Sequence, residues 1–301
     1  MGTRRGRATG ILIASLVAVP MFAMAVRGAP NRPPAPRAVV RPMWVLPAAE
    51  LGWLGNPGTL AGPGVWGTNA YNGVGDGLVP RRATPVAAYT SYASFRRHVR
   101  SLLPGSWVMY DPERWYLTPR RDRLHPVRYA RLFIALAHRH GLKVMLFPSP
   151  SLVLQPGTGL CHGVRHPGTG VWARWVYCNA AGKLAATRPD AFEIQAQGFE
   201  CGRSRPGHAS RYAGFLRVSI VAVRAAGYAG PIFAGLSTQR CAPAWNGYGV
   251  PTVTELRAAA SAALAAGAAG FFFYFNTASR PQVAVARAFL HLGPGNGPGP
   301  P

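Results

Sequence analysis

The chain has 301 residues, of which 49% are apolar, 36 are Gly and 29 are Pro. That composition excludes a wholly disordered chain, and the lack of a G-X-Y period excludes collagen. The charge is lopsided: 33 Lys+Arg, all arginine except Lys143 and Lys183, face nine Asp+Glu, for a formal +24.

Arg4, Arg5 and Arg7 precede an uncharged apolar stretch over 11–26, and Ala23-Met24-Ala25 offers small residues where an export peptidase cuts. Residues 1–25 therefore read as a secretory signal. The alternative is an uncleaved anchor, but the stretch falls short of the ~20 residues needed to span a bilayer. Thr3-Arg4-Arg5 leaves a twin-arginine route open. Residues 26–42 are Pro-rich and basic and read as an extended linker. Residues 293–301 form a Gly/Pro tail that can hold neither helix nor ladder. One domain over 43–292 remains.

Inside it, short apolar runs alternate with helical patterns, as in βα units around a parallel sheet. Candidate strands in chain order are Val86–Tyr89, Trp107–Tyr110, Lys143–Phe147, Ala191–Ala196, Pro231–Leu236 and Gly270–Phe275, with Met43–Leu46 and a segment before residue 86 as extras. Helices are expected over Tyr92–Leu103, from Pro126 to a left-handed cap at Gly141, and over Val171–Ala185, Arg211–Ala226 and Thr252–Ala266. In the helix opened by Pro126, Tyr129, Leu132, Phe133, Leu136 and Ala137 form the apolar stripe. Thr252 and Glu255 have capping-box spacing, which assigns Glu255 to structure. The fold expectation is an α/β chain closed as a (β/α) TIM-like barrel, incomplete or irregular at its N-terminal side; an open doubly wound sheet is the alternative. No G-x-G-x-x-G joins a strand to a helix, and Gly73–Gly77 (GVGDG) reads as a turn, so no nucleotide cofactor is expected.

Function is sought where strand alternation turns polar. In Phe192-Glu193-Ile194-Gln195-Ala196-Gln197 the apolar residues occupy one face, and Glu193, Gln195 and Gln197 the other, which in a barrel is the lumen. The same parity places Met109 with Asp111, Phe233 and Gly235 with Ser237, and Phe272 and Tyr274 with Asn276. These polar positions gather at the C-terminal strand ends, where barrels and open α/β sheets bind ligands. The run Tyr110-Asp111-Pro112-Glu113-Arg114-Trp115 leaves a strand there. It offers Asp111 and Glu113 as acid or base and Trp115 as an aromatic face for a sugar ring. The structural alternative is an Asp-Pro turn, an ion pair for Glu113 and a buried Trp115. Glu193 is the leading candidate, because a mid-strand glutamate is costly to bury. Candidate catalytic residues are thus Asp111, Glu113 and Glu193. Candidate ligand contacts are Tyr110, Trp115, Gln195, Gln197, Glu200, Ser237, Trp245, Tyr274 and Asn276, and Trp172, Trp175 and Tyr248 are further aromatics after strands.

The strand ends YDPERW, EIQAQ and AGLST on a secreted βα chain resemble the (β/α)-barrel glycoside hydrolases, and more closely uncharacterised secreted actinobacterial barrel proteins carrying similar YDPE-W and EIQAQ segments. The resemblance spans roughly 85–290. It implies carbohydrate chemistry with paired carboxylates, Glu193 matching the fourth-strand glutamate of the retaining barrel hydrolases. The chain departs from that pattern late: Asn276 stands where a second glutamate would be expected.

Four cysteines in an exported chain point to two disulfides, expected as Cys161–Cys178 and Cys201–Cys241. No C-x-x-C occurs, and His162 and His166 sit among Gly and Pro, so no metal is expected. The basic charge suits a carbohydrate or anionic cell-envelope polymer, or is a solvated surface with no partner. Scattered arginines argue against nucleic acid. A membrane enters only if the leader stays uncleaved. Two functions follow: hydrolysis of a glycosidic bond with Asp111 and Glu193 as the reacting pair, or glycan binding by a barrel without catalysis.

Overall fold

Each strand pairs in parallel with the next, and the last pairs with the first, through Trp44 against Phe271, to close the sheet. The computed structural model describes residues 43–47, 65–68, 83–197, 208–238, 250–275 and 279–290. The strands are β1 (Met43–Pro47), β2 (Val65–Thr68), β3 (Thr84–Tyr89), β4 (Trp107–Tyr110), β5 (Lys143–Leu146), β6 (Ala191–Ile194), β7 (Ile232–Ser237) and β8 (Gly270–Tyr274). The fold is therefore an eight-stranded (β/α) barrel, and closure excludes the open doubly wound sheet. The two optional strands, β1 and β2, complete the eight and make the strand of Glu193 the sixth, so it does not match the fourth-strand glutamate of the retaining barrel hydrolases. The leader, linker and tail expected at 1–25, 26–42 and 293–301 lie outside the described residues, as do Glu200, Trp245, Tyr248, Asn276, Cys201 and Cys241.

The described helices are α1 (Tyr92–His98), α2 (Arg120–Leu124), α3 (Pro126–Arg139), α4 (Val171–Tyr177), α5 (Ala180–Ala185), α6 (His208–Ala225), α7 (Val253–Ala265) and α8 (Arg280–Phe289). Two expectations needed correction. The helix expected over Val171–Ala185 is two, because Asn179 adopts a left-handed conformation (φ 48°) that ends α4 and starts α5 on a new axis. In α3 the buried stripe is Ala130, Phe133, Ile134, Leu136 and Ala137, while Leu132 is 38% exposed. The α3 boundaries follow local chemistry: Pro126 supplies no donor at the first turn, where none is needed, and Gly141 (φ +69°) takes the left-handed turn beyond the end. In α7 both halves of the Thr252–Glu255 capping box are present.

Strand alternation divides the core into two shells. Residues of one parity, among them Val45, Val86, Met109, Met145, Phe233 and Phe272, fill the lumen. Their neighbours face the helices. There Tyr110 stacks on Phe133 (centroids 4.7 Å), Phe133 on Phe95 (3.9 Å), and Phe95 meets Tyr89 edge-on, so aromatic rings tie β3 and β4 to α1 and α3. Trp66 packs against Trp107 and Phe233 in the lumen. The barrel is thus a packed core, and its open polar surface lies at the strand ends.

Candidate functional site

Three of the six described acids are structural. Asp122 is wholly buried between elements; its Oδ2 accepts hydrogen bonds from the backbone N–H of Tyr92 (3.0 Å) and from the Tyr110 hydroxyl (3.2 Å). Asp190 accepts from the Val144 N–H (2.7 Å) and meets His138 Nε2 at 2.9 Å, just ahead of β6 at the opposite end of the barrel from the site. Glu255 caps α7. The other three, Asp111, Glu113 and Glu193, converge on one mouth.

The β6 alternation sets Glu193 inward. Phe192 and Ile194 belong to the outer shell, while Glu193 lies in register with Phe233 of β7 and is 0% exposed. Across from it, Gly235 presents no side chain: a Cβ there would stand 2.7 Å from Glu193 Oε1 and would also collide with Gln197 Oε1. Glycine at this inward position is what admits both side chains.

Asp111 follows β4 directly. Its N–H still donates to Tyr89 O (2.9 Å), extending the ladder by one residue, so its carboxyl is held inward, 2% exposed. The loop that carries Glu113 is fastened from below. Thr118 Oγ1 accepts from both the Glu113 N–H and the Trp115 indole N–H (3.0 Å each), Thr90 Oγ1 donates to Leu117 O (3.0 Å), and Ser149 N–H donates to Pro112 O (3.1 Å). Glu113 keeps some accessible surface, whereas Asp111 and Glu193 keep almost none.

Gln195 links the two acids of the loop. Its Nε2 lies 2.9 Å from Asp111 Oδ1, 3.1 Å from Phe147 O and 3.4 Å from Glu113 Oε1. Two N–H bonds serve three acceptors there, so Glu113 receives the weakest share. Burial accordingly pushes the Glu113 carboxyl up to about 7 against a smaller lowering by Gln195. Glu193 is raised well above the carboxylate range by burial first, then by the charges of Asp111 and Glu113.

Several expected contacts occupy this mouth. Gln195 and Gln197 are half-buried beyond β6, Ser237 ends β7 opposite Tyr274, and Trp115 sits half-buried in the β4 loop. Other residues do not belong to it. Tyr110, expected among the ligand contacts, faces the helices and is sealed between Phe133 and Asp122, because it has the opposite parity to Asp111. Trp175 is a core residue, 1% exposed with its indole N–H on Ser219 Oγ (3.1 Å), and Trp172, half-buried, packs edge-on against Phe215 at the edge of that core. Glu193, expected to react directly, is 0% exposed, and its expected partner Asp111 2%. Gly235, placed inward by parity, makes room for the mouth, and Thr118 holds its loop. A glycine at inward parity opposite a glutamate carries a readable signal, whereas a threonine that staples its own loop carries none.

The Cys161–Cys178 disulfide is present and ties the segment after β5 to the C-terminal end of α4. Among the described residues no three acids, histidines or cysteines are grouped to hold a metal ion, and no helix is long and apolar enough to cross a membrane. No protein-family model matches the chain, and no curated protein matches it. The arrangement offers a carboxyl that exchanges its proton near neutrality beside a hydrogen-bonded carboxyl, which is the equipment for general acid catalysis with charge stabilisation.

Proposed function

We propose that this chain is an exported carbohydrate-active barrel that hydrolyses a glycosidic bond at the mouth formed by the β4 loop and the end of β6. The observation that carries this reading is the pairing of Asp111 and Glu113 on one amide nitrogen, that of Gln195. Glu113, raised to about 7 and partly accessible, gives the proton to the leaving oxygen. Asp111, held by the Gln195 N–H at 2.9 Å, faces the developing oxocarbenium charge, and the Glu113 carboxylate then takes a proton from the water that adds to the sugar carbon. The shared donor keeps the two carboxyl oxygens no more than about 6 Å apart, below the ~6.5–9.5 Å of inverting pairs. Trp115 supplies the apolar face for a sugar ring.

Glu193 moves in this account from reacting group to buried support. Its sealing, together with the 2% exposure of Asp111, favours the second reading: a mouth that binds glycan without cleaving it. The disulfide supports an oxidising destination outside the cytoplasm. The formal +24 supports an anionic cell-envelope polymer as the setting of the sugar.

The deciding experiment is release of reducing ends from a panel of cell-envelope and plant glycans by the wild type, Glu113→Gln and Asp111→Asn, with binding measured in parallel. Hydrolysis requires turnover by the wild type and a loss of at least about 100-fold in Glu113→Gln, with binding retained. Binding without turnover in all three establishes the second reading. Neither binding nor turnover on any glycan overturns both.

A further inference from the structure

Two acceptor oxygens meet in the barrel with no donor between them. Neither oxygen of the Glu193 carboxyl accepts a hydrogen bond from the described residues, although the side chain is wholly buried, and Gln197 Oε1 is likewise unsatisfied. Both groups press on the same backbone position, since a Cβ on Gly235 would lie 2.7 Å from Glu193 Oε1 and within contact of Gln197 Oε1. Buried acceptors are costly without donors, and two facing each other repel. A single proton on the carboxyl removes both defects, because a protonated glutamate is a donor as well as an acceptor.

We propose that Glu193 is a neutral carboxylic acid that donates a hydrogen bond to Gln197 Oε1 beside Gly235, and that this bond fixes which way the Gln197 amide faces the mouth. The inference goes beyond the function argued above, since it holds whether the mouth cleaves a glycan or only binds one. With Oε1 turned inward, the two N–H bonds of Gln197 sit on the other branch of the amide, on a half-buried residue beside Gln195. Gln197 is then a donor to the ligand, selecting a hydroxyl or ring oxygen at that point. Glu193 is a positioning residue acting through it. The opposite arrangement is an amide turned by 180°, with its N–H donating to an ionised Glu193.

The surroundings decide between them. Among the described residues the charged groups acting on Glu193 are Asp111 and Glu113, both acids, arriving from the loop after β4. Phe233 flanks it from β7, and Gly235 adds nothing polar. Two like charges and complete burial both favour the retained proton.

The test is 13C NMR of the full chain with carboxyl-labelled glutamate, a spectrum kept simple by its having only five glutamates. In the wild type the Glu193 signal should hold the position of a protonated acid at pH 7. The Glu113 midpoint, near 7, should move by no more than about 0.3 in Glu193→Gln, since one neutral group replaces another. A carboxylate signal for Glu193 at pH 7, or a fall of about one unit or more in the Glu113 midpoint of Glu193→Gln, overturns the proposal. The wild-type spectrum is decisive alone should the variant fail to fold.

Discussion

Glu113→Gln should make the protein more stable at neutral and alkaline pH while removing the proton donor. The Glu113 carboxyl stands at about 7 in the folded chain against an ordinary 4.5. Below pH 4.5 it is protonated in both states and contributes no pH dependence. Between 4.5 and 7 the unfolded chain releases its proton and the folded chain keeps it, so stability falls as pH rises. Above 7 the folded state carries the full cost of an ionised, buried carboxyl, about 3 kcal/mol, because each pH unit separating the folded and unfolded midpoints is worth ~1.4 kcal/mol. Glutamine keeps the acceptor facing Gln195 but cannot ionise. Urea denaturation of wild type and Glu113→Gln at pH 4, 6 and 8 should therefore give curves that nearly coincide at pH 4 and differ by about 2–3 kcal/mol at pH 8, the variant being the more stable. Asp122 is also raised and tilts both proteins alike, while Glu193, raised in part by the Glu113 charge, is relieved in the variant and adds to the difference in the same direction. A difference independent of pH, or a variant less stable at pH 8, would refute the placement of Glu113 in a desolvated mouth.

Three other outcomes follow from the packing. Gly235→Ala should cost about 1–3 kcal/mol in chemical denaturation, because its Cβ meets Glu193 and Gln197 in a filled lumen; a neutral effect would mean that the two side chains do not crowd that strand. Replacing both Cys161 and Cys178 by Ser, across a separation of 17 residues, should cost about 3 kcal/mol and be mimicked by reductant in the wild type; a midpoint insensitive to both contradicts it. Thr252→Ala should cost about 1 kcal/mol through loss of the α7 capping box, with no change in the Glu113 titration, since that helix end shares no contact with the acids.

What could be read from the sequence divides along physical lines. The inward positions of Glu193, Gln195 and Asp111 follow from two-residue alternation, which a closed barrel enforces on every strand. The same rule, applied to Tyr110, would have removed it from the ligand contacts, since it is one residue out of phase with Asp111. β2 was not legible as a defined strand because Val65–Thr68 is four residues long and includes a glycine. α2 is built on Arg120-Arg121-Asp122-Arg123, whose only buried member is the acid, so it has no apolar stripe to detect. The contact between Gln195 and Asp111 depends on the stagger of β6 relative to β4, with β5 between them, and local sequence does not encode that stagger. Nor could the sealing of Glu193 be foreseen, because it rests on how completely the neighbouring strands and Phe233 close over one side chain.

The central claim is that a sugar meets this protein at the acid-lined mouth and not on its arginine-rich surface. Side-chain NMR of the wild-type chain, titrated with an oligosaccharide found to bind, tests it directly. The Glu113 carboxyl and the Gln195 and Gln197 amide signals should move together and saturate on one binding curve. Should those three stay fixed while only arginine side-chain signals shift and the response vanishes at high salt, the ligand is held by surface charge and the account is wrong.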